Sequence, residues 1–431
     1  MKRKYSCPRI VSVVLAFCII FLIGCSKDDG VELDENGDVI DPKPDSQIVS
    51  GNPALNQFLI TSKDETLYTV DTQTGQETAI YTFPDLTDFE LIADYDNGTI
   101  FITADDNSMN ALSVSNKNFL WERPMLEFDF SSNGLTPTTC IDGVCYASGG
   151  TGVVVAADQI TGDLKWYYTS DEDGELDNVL AENSTPIIHG DKVYVFSDEG
   201  FISDLAPFMH VLDKQTGALL QKVELPFEVS GTPVFDNNVL YLPAKNLYAI
   251  NPDTLDIIWT LEANGVGTPS ISNGKLVVNA IPVGQSISSA LFCVDIATKN
   301  ILWQKDTGTD TLWSPLIVQN VVFSNYDKGS SFAFATSGRL FALNLSSGEE
   351  LWYNEDIVID HSPVYANGHL FFRGHNLVGD GDTSENVGLL GIDANTGELL
   401  WLNSFFRNGS PLIPLVVAEN GEFGPSYYRG N

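Results

Sequence analysis

The feature that most constrains this chain is a short pattern that returns eight times along it. Its clearest copies are Val153–Trp166 (VVVAADQITGDLKW), Leu340–Trp352 (LFALNLSSGEELW) and Leu389–Trp401 (LLGIDANTGELLW). Looser copies occur at Leu67–Tyr81, Leu112–Trp121, Met209–Lys222, Leu247–Trp259 and Leu291–Trp303. The copies lie about 46 residues apart, a period typical of propeller blades that contain several short strands. The repeat therefore predicts one ring-like domain rather than two or three unrelated ones.

Each copy is typical of two β-strands joined by a tight turn. Alternating apolar residues such as Phe341 and Leu343 predict a strand with one buried face. The turn carries an aspartate or asparagine, whose side chain accepts hydrogen bonds from backbone amides two residues on. These residues are Asp71, Asp158, Asp213, Asn251, Asp295, Asn344 and Asp393. Glycine supplies the positive φ that the turn needs, at Gly75, Gly162, Gly217, Gly348 and Gly397.

Six of the seven tryptophans occupy one position, at the end of the repeat. They are Trp121, Trp166, Trp259, Trp303, Trp352 and Trp401, and Trp121 fits if its hairpin loop is two residues shorter than the others. One shared position favours a packing role over six separate sites, because a buried indole brings a large apolar area. The first and fourth copies carry Ala79 and Gln221 instead, so the tryptophan contact is not expected there.

A serine or threonine followed by proline precedes most hairpins. The pairs are Thr136-Pro137, Thr185-Pro186, Thr232-Pro233, Thr268-Pro269, Ser314-Pro315 and Ser362-Pro363. Each leads into a short apolar strand, and a proline at a strand start gives up no ladder hydrogen bond. Four strands per unit follow, the last one ending at the tryptophan. The predicted fold is all-β, an eight-bladed β-propeller of four-stranded antiparallel blades over residues 51–431.

The end of the chain predicts how the ring closes. Ser410-Pro411 repeats the marker after the eighth hairpin, so the apolar strand Leu412–Ala418 has no later hairpin to join. The first hairpin region, from Phe58, lacks such a strand before it. We therefore expect the C-terminal strand to complete the first blade, which would hide both sheet edges.

The N-terminus predicts export. Basic residues precede an apolar run, residues 10–24, that is too short to cross a bilayer comfortably and is typical of a secretory signal. Leu22-Ile23-Gly24-Cys25 resembles the bacterial lipobox, which implies cleavage before Cys25 and lipidation of that residue. Residues 1–24 are then a lipoprotein signal peptide and 25–50 a flexible acidic tether. An uncleaved membrane anchor is the alternative.

Two features bear on location and partners. Ser26-Lys27-Asp28-Asp29 resembles the acidic surface-export signal of bacterial lipoproteins, which favours the cell surface over the periplasmic side of the outer membrane. The formal net charge of −36 repels nucleic acid and anionic headgroups. We therefore expect no nucleic-acid partner, and attachment to the outer membrane through the lipid on Cys25 alone.

The cysteines after the signal divide into a pair and a single residue. Cys140 and Cys145 flank a two-residue Asp-Gly hairpin turn, which would place them directly opposite each other. Because an exported protein lies in an oxidising compartment, we predict a disulfide between them. Cys293 lies in an apolar strand and is predicted to be a buried free thiol, and the spacing is unlike that of a zinc site.

The repeat Ala156-x-Asp158-x-x-Thr161-Gly162-x-x-x-Trp166 resembles the tryptophan-docking repeat of PQQ-type eight-bladed propellers, over about residues 52–420. That superfamily contains quinoprotein alcohol dehydrogenases and outer-membrane assembly lipoproteins of the BamB type. The resemblance implies that each tryptophan packs on the neighbouring blade. The dehydrogenases would imply adjacent cysteines, a calcium held by Glu and Asn, and a catalytic Asp. No adjacent cysteines and no Cys-x-x-Cys-His occur, and no stretch matches the calcium ligands. We therefore expect no catalytic residue and no cofactor.

Other catalytic or metal motifs are weak. The five histidines form no His-Glu-x-x-His pattern, no Gly-x-Ser-x-Gly elbow occurs, and His189 and His369 fall at structural positions of the repeat. Residues 171–177 (DEDGELD) are compatible either with calcium or with a solvated acidic loop, and the spacing misses the EF-hand pattern. No metal site is predicted.

The insertions indicate where a partner would bind. Four long loops and one long connection should gather on one face of the ring, and loops on a rigid scaffold commonly carry recognition. The loops lie at about 197–208, 280–289, 325–338 and 374–387, and the connection at 167–183. Candidate contact residues are Phe201, Phe208, Tyr326, Phe332 and Phe334, each of which is alternatively an anchor for its own loop. We expect a non-catalytic scaffold that binds another protein on this face, either in outer-membrane protein assembly or as a surface receptor. Binding of a small ligand or polysaccharide, and a PQQ-dependent dehydrogenase, are the alternatives.

Overall fold

β-Strands make up almost all of the described structure. The computed structural model describes residues 58–63, 66–83, 94–96, 98–104, 108–124, 138–149, 153–169, 178–180, 185–199, 206–227, 229–285, 288–309, 314–327, 338–359, 362–366, 368–377, 386–407, 415–417 and 423–424. All of them lie in one compact unit, residues 44–431. Among these residues, none forms a helix long and apolar enough to cross a membrane.

The strands follow one another in groups, numbered as blades in chain order. Blade 1 begins with β1 (Phe58–Lys63), β2 (Thr66–Asp71) and β3 (Glu77–Thr82). Blade 2 contains β4 (Asp94–Asp96), β5 (Thr99–Ala104), β6 (Ser108–Ser113) and β7 (Asn118–Pro124). Blade 3 contains β8 (Thr139–Ile141), β9 (Val144–Gly149), β10 (Val153–Asp158) and β11 (Leu164–Thr169). Blade 4 contains β12 (Asn178–Leu180), β13 (Ile187–His189), β14 (Lys192–Glu199), β15 (Ala206–Asp213) and β16 (Leu219–Glu224).

The second half of the ring repeats this order. Blade 5 contains β17 (Val234–Asp236), β18 (Val239–Pro243), β19 (Leu247–Ile250) and β20 (Ile257–Leu261). Blade 6 contains β21 (Ser270–Ser272), β22 (Lys275–Ala280), β23 (Ser288–Asp295) and β24 (Ile301–Thr309). Blade 7 contains β25 (Leu316–Val318), β26 (Val321–Asp327), β27 (Gly338–Asn344) and β28 (Glu350–Asn354). Blade 8 contains β29 (Ile357–Ile359), β30 (Val364–Ala366), β31 (His369–Asn376), β32 (Val387–Asp393) and β33 (Leu399–Asn403), followed by a short 3-10 helix, Ser404–Arg407.

The ring closes as the sequence predicts. β34 (Leu415–Val417) pairs antiparallel with β1, with Phe58 opposite Val417, and supplies the strand that blade 1 lacks. β35 (Phe423–Gly424) then pairs with β34 and adds a fifth strand to that sheet. The predicted all-β, eight-bladed propeller is confirmed.

Two details differ from eight separate four-stranded blades. Blades 4 and 8 carry an extra strand each, β12 and β29, which pair with the ends of β14 and β31. The reason is length: β14 and β31 have eight residues each, whereas β13 and β30 have three, so part of the longer strand's edge would otherwise lack a partner. A single parallel contact, Gly308 with Asp327, also joins blades 6 and 7 into one sheet.

The hydrophobic core lies between the blades. The buried apolar residues form eight clusters, and each cluster spans one seam, meaning the contact between two consecutive blades. At the seam of blades 7 and 8, for example, Phe323 of β26 packs in one cluster with Phe372 of β31. Since no blade has a core of its own, the blades stabilise one another around the ring.

The repeat tryptophans supply the specific part of the seam contact. In five seams the indole N–H donates to the backbone carbonyl of the residue after the turn Asp or Asn of the next blade, at 2.8–3.1 Å. The pairs are Trp121 with Gln159, Trp166 with Lys214, Trp303 with Leu345, Trp352 with Ala394, and Trp401 with Thr72. The last pair joins blade 8 to blade 1 and so secures the closed ring.

The turn glycine makes this contact possible. At Gly162 and Gly348 a Cβ atom would lie 2.7 Å and 2.6 Å from the ring of the docked tryptophan. Both glycines also have a positive φ, of 74° and 70°. Glycine is therefore required twice at this position, for the turn itself and for the ring that lies on it.

The three remaining seams replace the tryptophan–glycine contact. Between blades 1 and 2, Lys117 stands at the glycine position and donates from Nζ to the carbonyl of Ala79 at 2.8 Å. Between blades 4 and 5, Gln221 faces a turn that carries Leu255, which packs into the cluster of that seam. Between blades 5 and 6, Trp259 faces Lys299, and among the described residues its indole makes no hydrogen bond like the other five. A Cβ at this turn position excludes an indole from the docked place, as the glycine geometry shows.

Gly348→Ala and Gly274→Ala separate the two requirements. Both glycines have nearly the same φ, 70° and 68°, but a Cβ at Gly274 would meet nothing within 4 Å. Gly274→Ala should lower the free energy of unfolding by about 1 kcal/mol through backbone strain. Gly348→Ala should lower it by about 1–3 kcal/mol more, because the new methyl group overlaps the Trp303 ring. Equal losses in urea denaturation would show that the ring does not depend on the glycine.

Candidate functional site

The pairing order gives the propeller two unlike faces. Turns that join the first strand of a blade to the second, and the third to the fourth, lie on one face, here the turn face. Loops that join the second strand to the third, and the connections between blades, lie on the opposite face, here the long-loop face. The strands reach further into the predicted insertions than expected, since β14 ends at Glu199 and β15 begins at Ala206. The loops proper are therefore shorter, and most of their residues lie outside the described part of the chain.

Buried polar side chains collect near the long-loop face. Most of them lie where second strands end, third strands begin or fourth strands end, whereas Thr72, Ser113 and Asn344 are buried polar residues near the turn face. The set comprises Thr61, Ser62, Thr103, Ser108, Asn110, Ser148, Asn279, Ser289, Thr307, Ser324, Asn325 and His375, each no more than 9% exposed. Buried polar groups cost free energy unless they are hydrogen-bonded, so this layer depends on the partners of its side chains.

In blade 6 the polar layer is a connected network. The hydroxyls of Ser289 and Thr307 are 3.0 Å apart, and Thr307 donates to Oδ1 of Asn279 at 3.3 Å. Ser289 also reaches the carbonyl of Gly308 at 3.4 Å, next to the contact that joins blades 6 and 7. The network thus fixes the strand ends from which the blade 6 insertion, at about residues 280–289, departs.

In blades 2 and 7 the polar layer includes buried acceptors without a donor among the described residues. They are the Oδ1 atoms of Asn110 and Asn325, in side chains that are 2% and 4% exposed. The amide nitrogen of Asn110 is occupied, since it donates to Ser108 at 2.7 Å. A buried acceptor without a donor costs roughly 1–3 kcal/mol. Within the described part of the chain, the hydrogen-bonding capacity of both acceptors stays unfilled.

Phe208 lies in β15 rather than in a loop, and its ring centre is 6.4 Å from that of His210 on the same strand. The ammonium group of Lys222 lies 4.6 Å from the centre of its ring. His210, two residues on, is fully buried, and its Nδ1 is 2.9 Å from the hydroxyl of Tyr168. Burial, together with the positive charge of Lys222, lowers the pKa of His210 to about 4. Phe208 is thus held in place by its neighbours, as an anchor would be.

Tyr326 lies at the end of β26 and is half-buried against the cluster between blades 6 and 7. The guanidinium of Arg339 lies 5.8 Å from its ring centre and 4.9 Å from that of Tyr353. Glu350 holds both Arg339 and Lys305, at 3.3 Å and 2.7 Å. Tyr353 is 51% exposed, so this edge of blade 7 offers an accessible aromatic ring beside a positive charge.

Tyr353 is a candidate contact residue that sequence reasoning missed. Its signal is a tyrosine directly after the repeat tryptophan, which also occurs at Tyr167 in blade 3. Both side chains are more than half exposed, at 51% and 55%. The fourth strand of each blade is its outer strand. An indole that docks on one side of this strand leaves the next residue on the other side, facing solvent.

The other sequence candidates fall into two groups. Cys25, Phe201, Phe332 and Phe334 lie outside the described residues. Cys140 and Cys145 lie opposite each other on β8 and β9 and are joined by a disulfide. Cys293 is a buried free thiol whose pKa burial raises to about 12, which leaves it unreactive.

The histidines at repeat positions have structural contacts. His189 stacks on Phe235 with ring centres 4.1 Å apart and lies 3.1 Å from Oδ1 of Asn238, across the seam of blades 4 and 5. Within the described ranges, no group of three or more His, Cys, Asp or Glu side chains is arranged to hold a metal ion.

The amino-acid sequence of this chain is similar to those of several known proteins. A family model described as "Outer membrane protein assembly factor BamB" matches residues 40–208. The tetrathionate hydrolase of Acidithiobacillus ferrooxidans is 23% identical over 72% of this chain and 64% of its own length. The BamB of Yersinia pestis is 25% identical over 63% of this chain and 66% of its own length. The matches thus span less than two thirds of these two relatives.

A solved structure shares the fold. The BamB of Moraxella catarrhalis aligns with a TM-score of 0.53 and 15% identity, over 77% of this chain and 92% of that chain. The predicted similarity to the PQQ-type, BamB-like propellers is therefore confirmed.

His210 should make the protein sensitive to mild acid. Its pKa is lowered in the folded state from 6.5 to about 4, so the unfolded chain binds the proton more readily between these values. The free energy of unfolding should therefore fall as the pH is lowered from about 6.5 to 4, by roughly 3 kcal/mol from this residue alone. His210→Gln should remove that part of the slope in urea titrations at successive pH values. An unchanged slope would contradict the assignment.

Proposed function

We propose that the protein is a non-catalytic scaffold at the outer membrane that binds another protein through its long-loop face. The observation that carries the proposal is the layer of buried polar groups near the long-loop face, where the Asn110 and Asn325 acceptors have no donor among the described residues. A rigid ring with hydrogen-bonding groups near one face is better suited to recognising a partner than to stabilising the fold. The relatives named outer membrane protein assembly factor support a role in that assembly.

The proposed attachment is a lipid on Cys25, followed by the acidic tether of residues 25–50. Lys27, Asp28 and Asp29 favour the cell surface, whereas a role in membrane protein assembly favours the periplasmic side. A location on the cell surface would indicate a receptor, and a location on the periplasmic side would indicate an assembly factor. The similarity to a tetrathionate hydrolase leaves an enzyme as the competing class, and the sequence motifs of quinoprotein dehydrogenases are absent here.

Replacement of residues 328–337 by a short Gly-Ser link tests the binding face. The strand ends β26 and β27 stay in place, since they finish at Asp327 and resume at Gly338. The variant should keep its unfolding transition and lose the proteins that wild type retains from a detergent extract of the envelope. Ile160→Ser is the matched control, because Ile160 is 83% exposed in a turn-face loop and should leave retention unchanged.

Protease added to intact cells completes the same experiment. Cleavage of the propeller from outside would favour the surface receptor, and protection until the outer membrane is opened would favour the assembly factor. Full retention of all partners by the loop variant would contradict the long-loop face as the binding site.

A further inference from the structure

Blade 5 differs from every other blade, because neither of its seams contains the tryptophan–glycine contact. On one side Gln221 of blade 4 faces Leu255, and on the other Trp259 faces Lys299. Blades 3, 7 and 8 have the indole hydrogen bond on both sides. The seams of blade 5 retain their apolar clusters and inner contacts, such as Thr232 N–H to the Thr268 hydroxyl at 2.9 Å. The seams of blade 5 therefore differ from the others at the outer rim of the ring, where the fourth strand of each blade lies.

The same rim exposes apolar side chains in three consecutive blades. In blades 4, 5 and 6 the first two residues of the outer strand are both aliphatic, and each is between 40% and 54% exposed. We call this set the rim belt, and it consists of Leu219, Leu220, Ile257, Ile258, Ile301 and Leu302. At the same two positions blade 3 has Leu164 and Lys165, and blade 7 has Glu350 and Leu351. Blade 8 has Leu399 and Leu400 there, but Leu399 is half-buried and blade 7 separates this pair from blades 4 to 6. An apolar patch that continues over several elements marks an interaction surface.

Lys299 is a charged residue in the turn that precedes the outer strand of blade 6. It has a φ of 62°, a conformation that costs backbone energy for any residue except glycine. The other two side chains at this turn position have partners, since Lys117 donates to the Ala79 carbonyl and Leu255 packs into its seam. Lys299 is exposed, and within the described part of the chain its ammonium group contacts no acceptor. A strained residue whose charge is directed to solvent beside an apolar patch is suited to a carboxylate from outside the chain.

We propose that the rim of blades 4 to 6 is a docking surface for a different protein, which lays an aliphatic segment over the rim belt and places a carboxylate against Lys299. The net charge of −36 disfavours a second copy of this chain as the partner, because two such chains repel each other. An anionic membrane surface is excluded by the same charge. This surface is separate from the long-loop face, so the two can be occupied together.

Site-specific photo-crosslinking of the full chain in its own cells tests the proposal. A benzophenone amino acid replaces Leu220, Ile258 or Leu302, the residue before the repeat tryptophan position in blades 4, 5 and 6. Leu120 and Leu400 are matched controls, because they hold the same position in blades 2 and 8 and are similarly exposed, at 55% and 45%. All three rim positions should give one adduct of the same size, and both controls should lack it.

The adduct identifies the class of partner. Mass spectrometry of the crosslinked peptide should map it to an aliphatic segment of another protein with an Asp or Glu close by. Lys299→Glu should lower the yield at Ile258 roughly tenfold or more, and Lys299→Arg should restore it. The unfolding midpoint of each variant should match that of wild type, because the side chain is exposed.

Several outcomes would overturn the proposal. They are an adduct of twice the chain's own mass, adducts to lipid, equal adducts at Leu120 and Leu400, a crosslinked segment that is basic or polar, or no adduct at any rim position. Replacement of residues 328–337 should leave the rim adduct unchanged, so failure at the long-loop face and failure at the rim are distinguishable.

Discussion

The contact on which the rest of the structure depends is an indole ring that lies on a glycine of the next blade and donates to the carbonyl three residues before it. No blade has a core of its own, so each depends on its neighbours for both burial and orientation. The apolar clusters supply most of the free energy, but they are not directional. In five seams the indole hydrogen bond and the glycine add a directional contact, and the pair Trp401–Thr72 makes this contact where the ring closes.

A ring stabilised in this way can carry function at its edges. Apolar residues concentrate near the turn face, where the docking turns lie, and this leaves the long-loop half free to hold buried hydroxyls and amides. The rim of blades 4 to 6 illustrates the complementary case. There the docking contact is missing, aliphatic residues are exposed, and Lys299 occupies the place of a glycine. Recognition and stability thus use different parts of one repeat.

Much of the fold could be predicted from the sequence because the same hairpin pattern recurs eight times along the chain. Asp158, Gly162 and Trp166 predict the turn and its partner, and the lone strand after Ser410-Pro411 predicts the closure. The extra strands β12 and β29 could not be predicted, since they arise from the lengths of β14 and β31, which no local pattern limits. The polar layer was also missed, because Ser, Thr and Asn at strand ends interrupt no periodicity. Phe208 and Tyr326 were found as aromatic residues, but only their strand neighbours show that they pack inward.

The most direct test of this account is native-state hydrogen exchange of the outer strands, followed by mass spectrometry. If the indole contact holds each seam at the rim, the amides of β20 in blade 5 should exchange faster than those of β11, β28 and β33, whose tryptophans are docked. Because β20 still pairs with β19, the difference should reflect opening of the rim rather than loss of the blade. Equal or stronger protection of β20 would contradict the central role of the tryptophan–glycine contact.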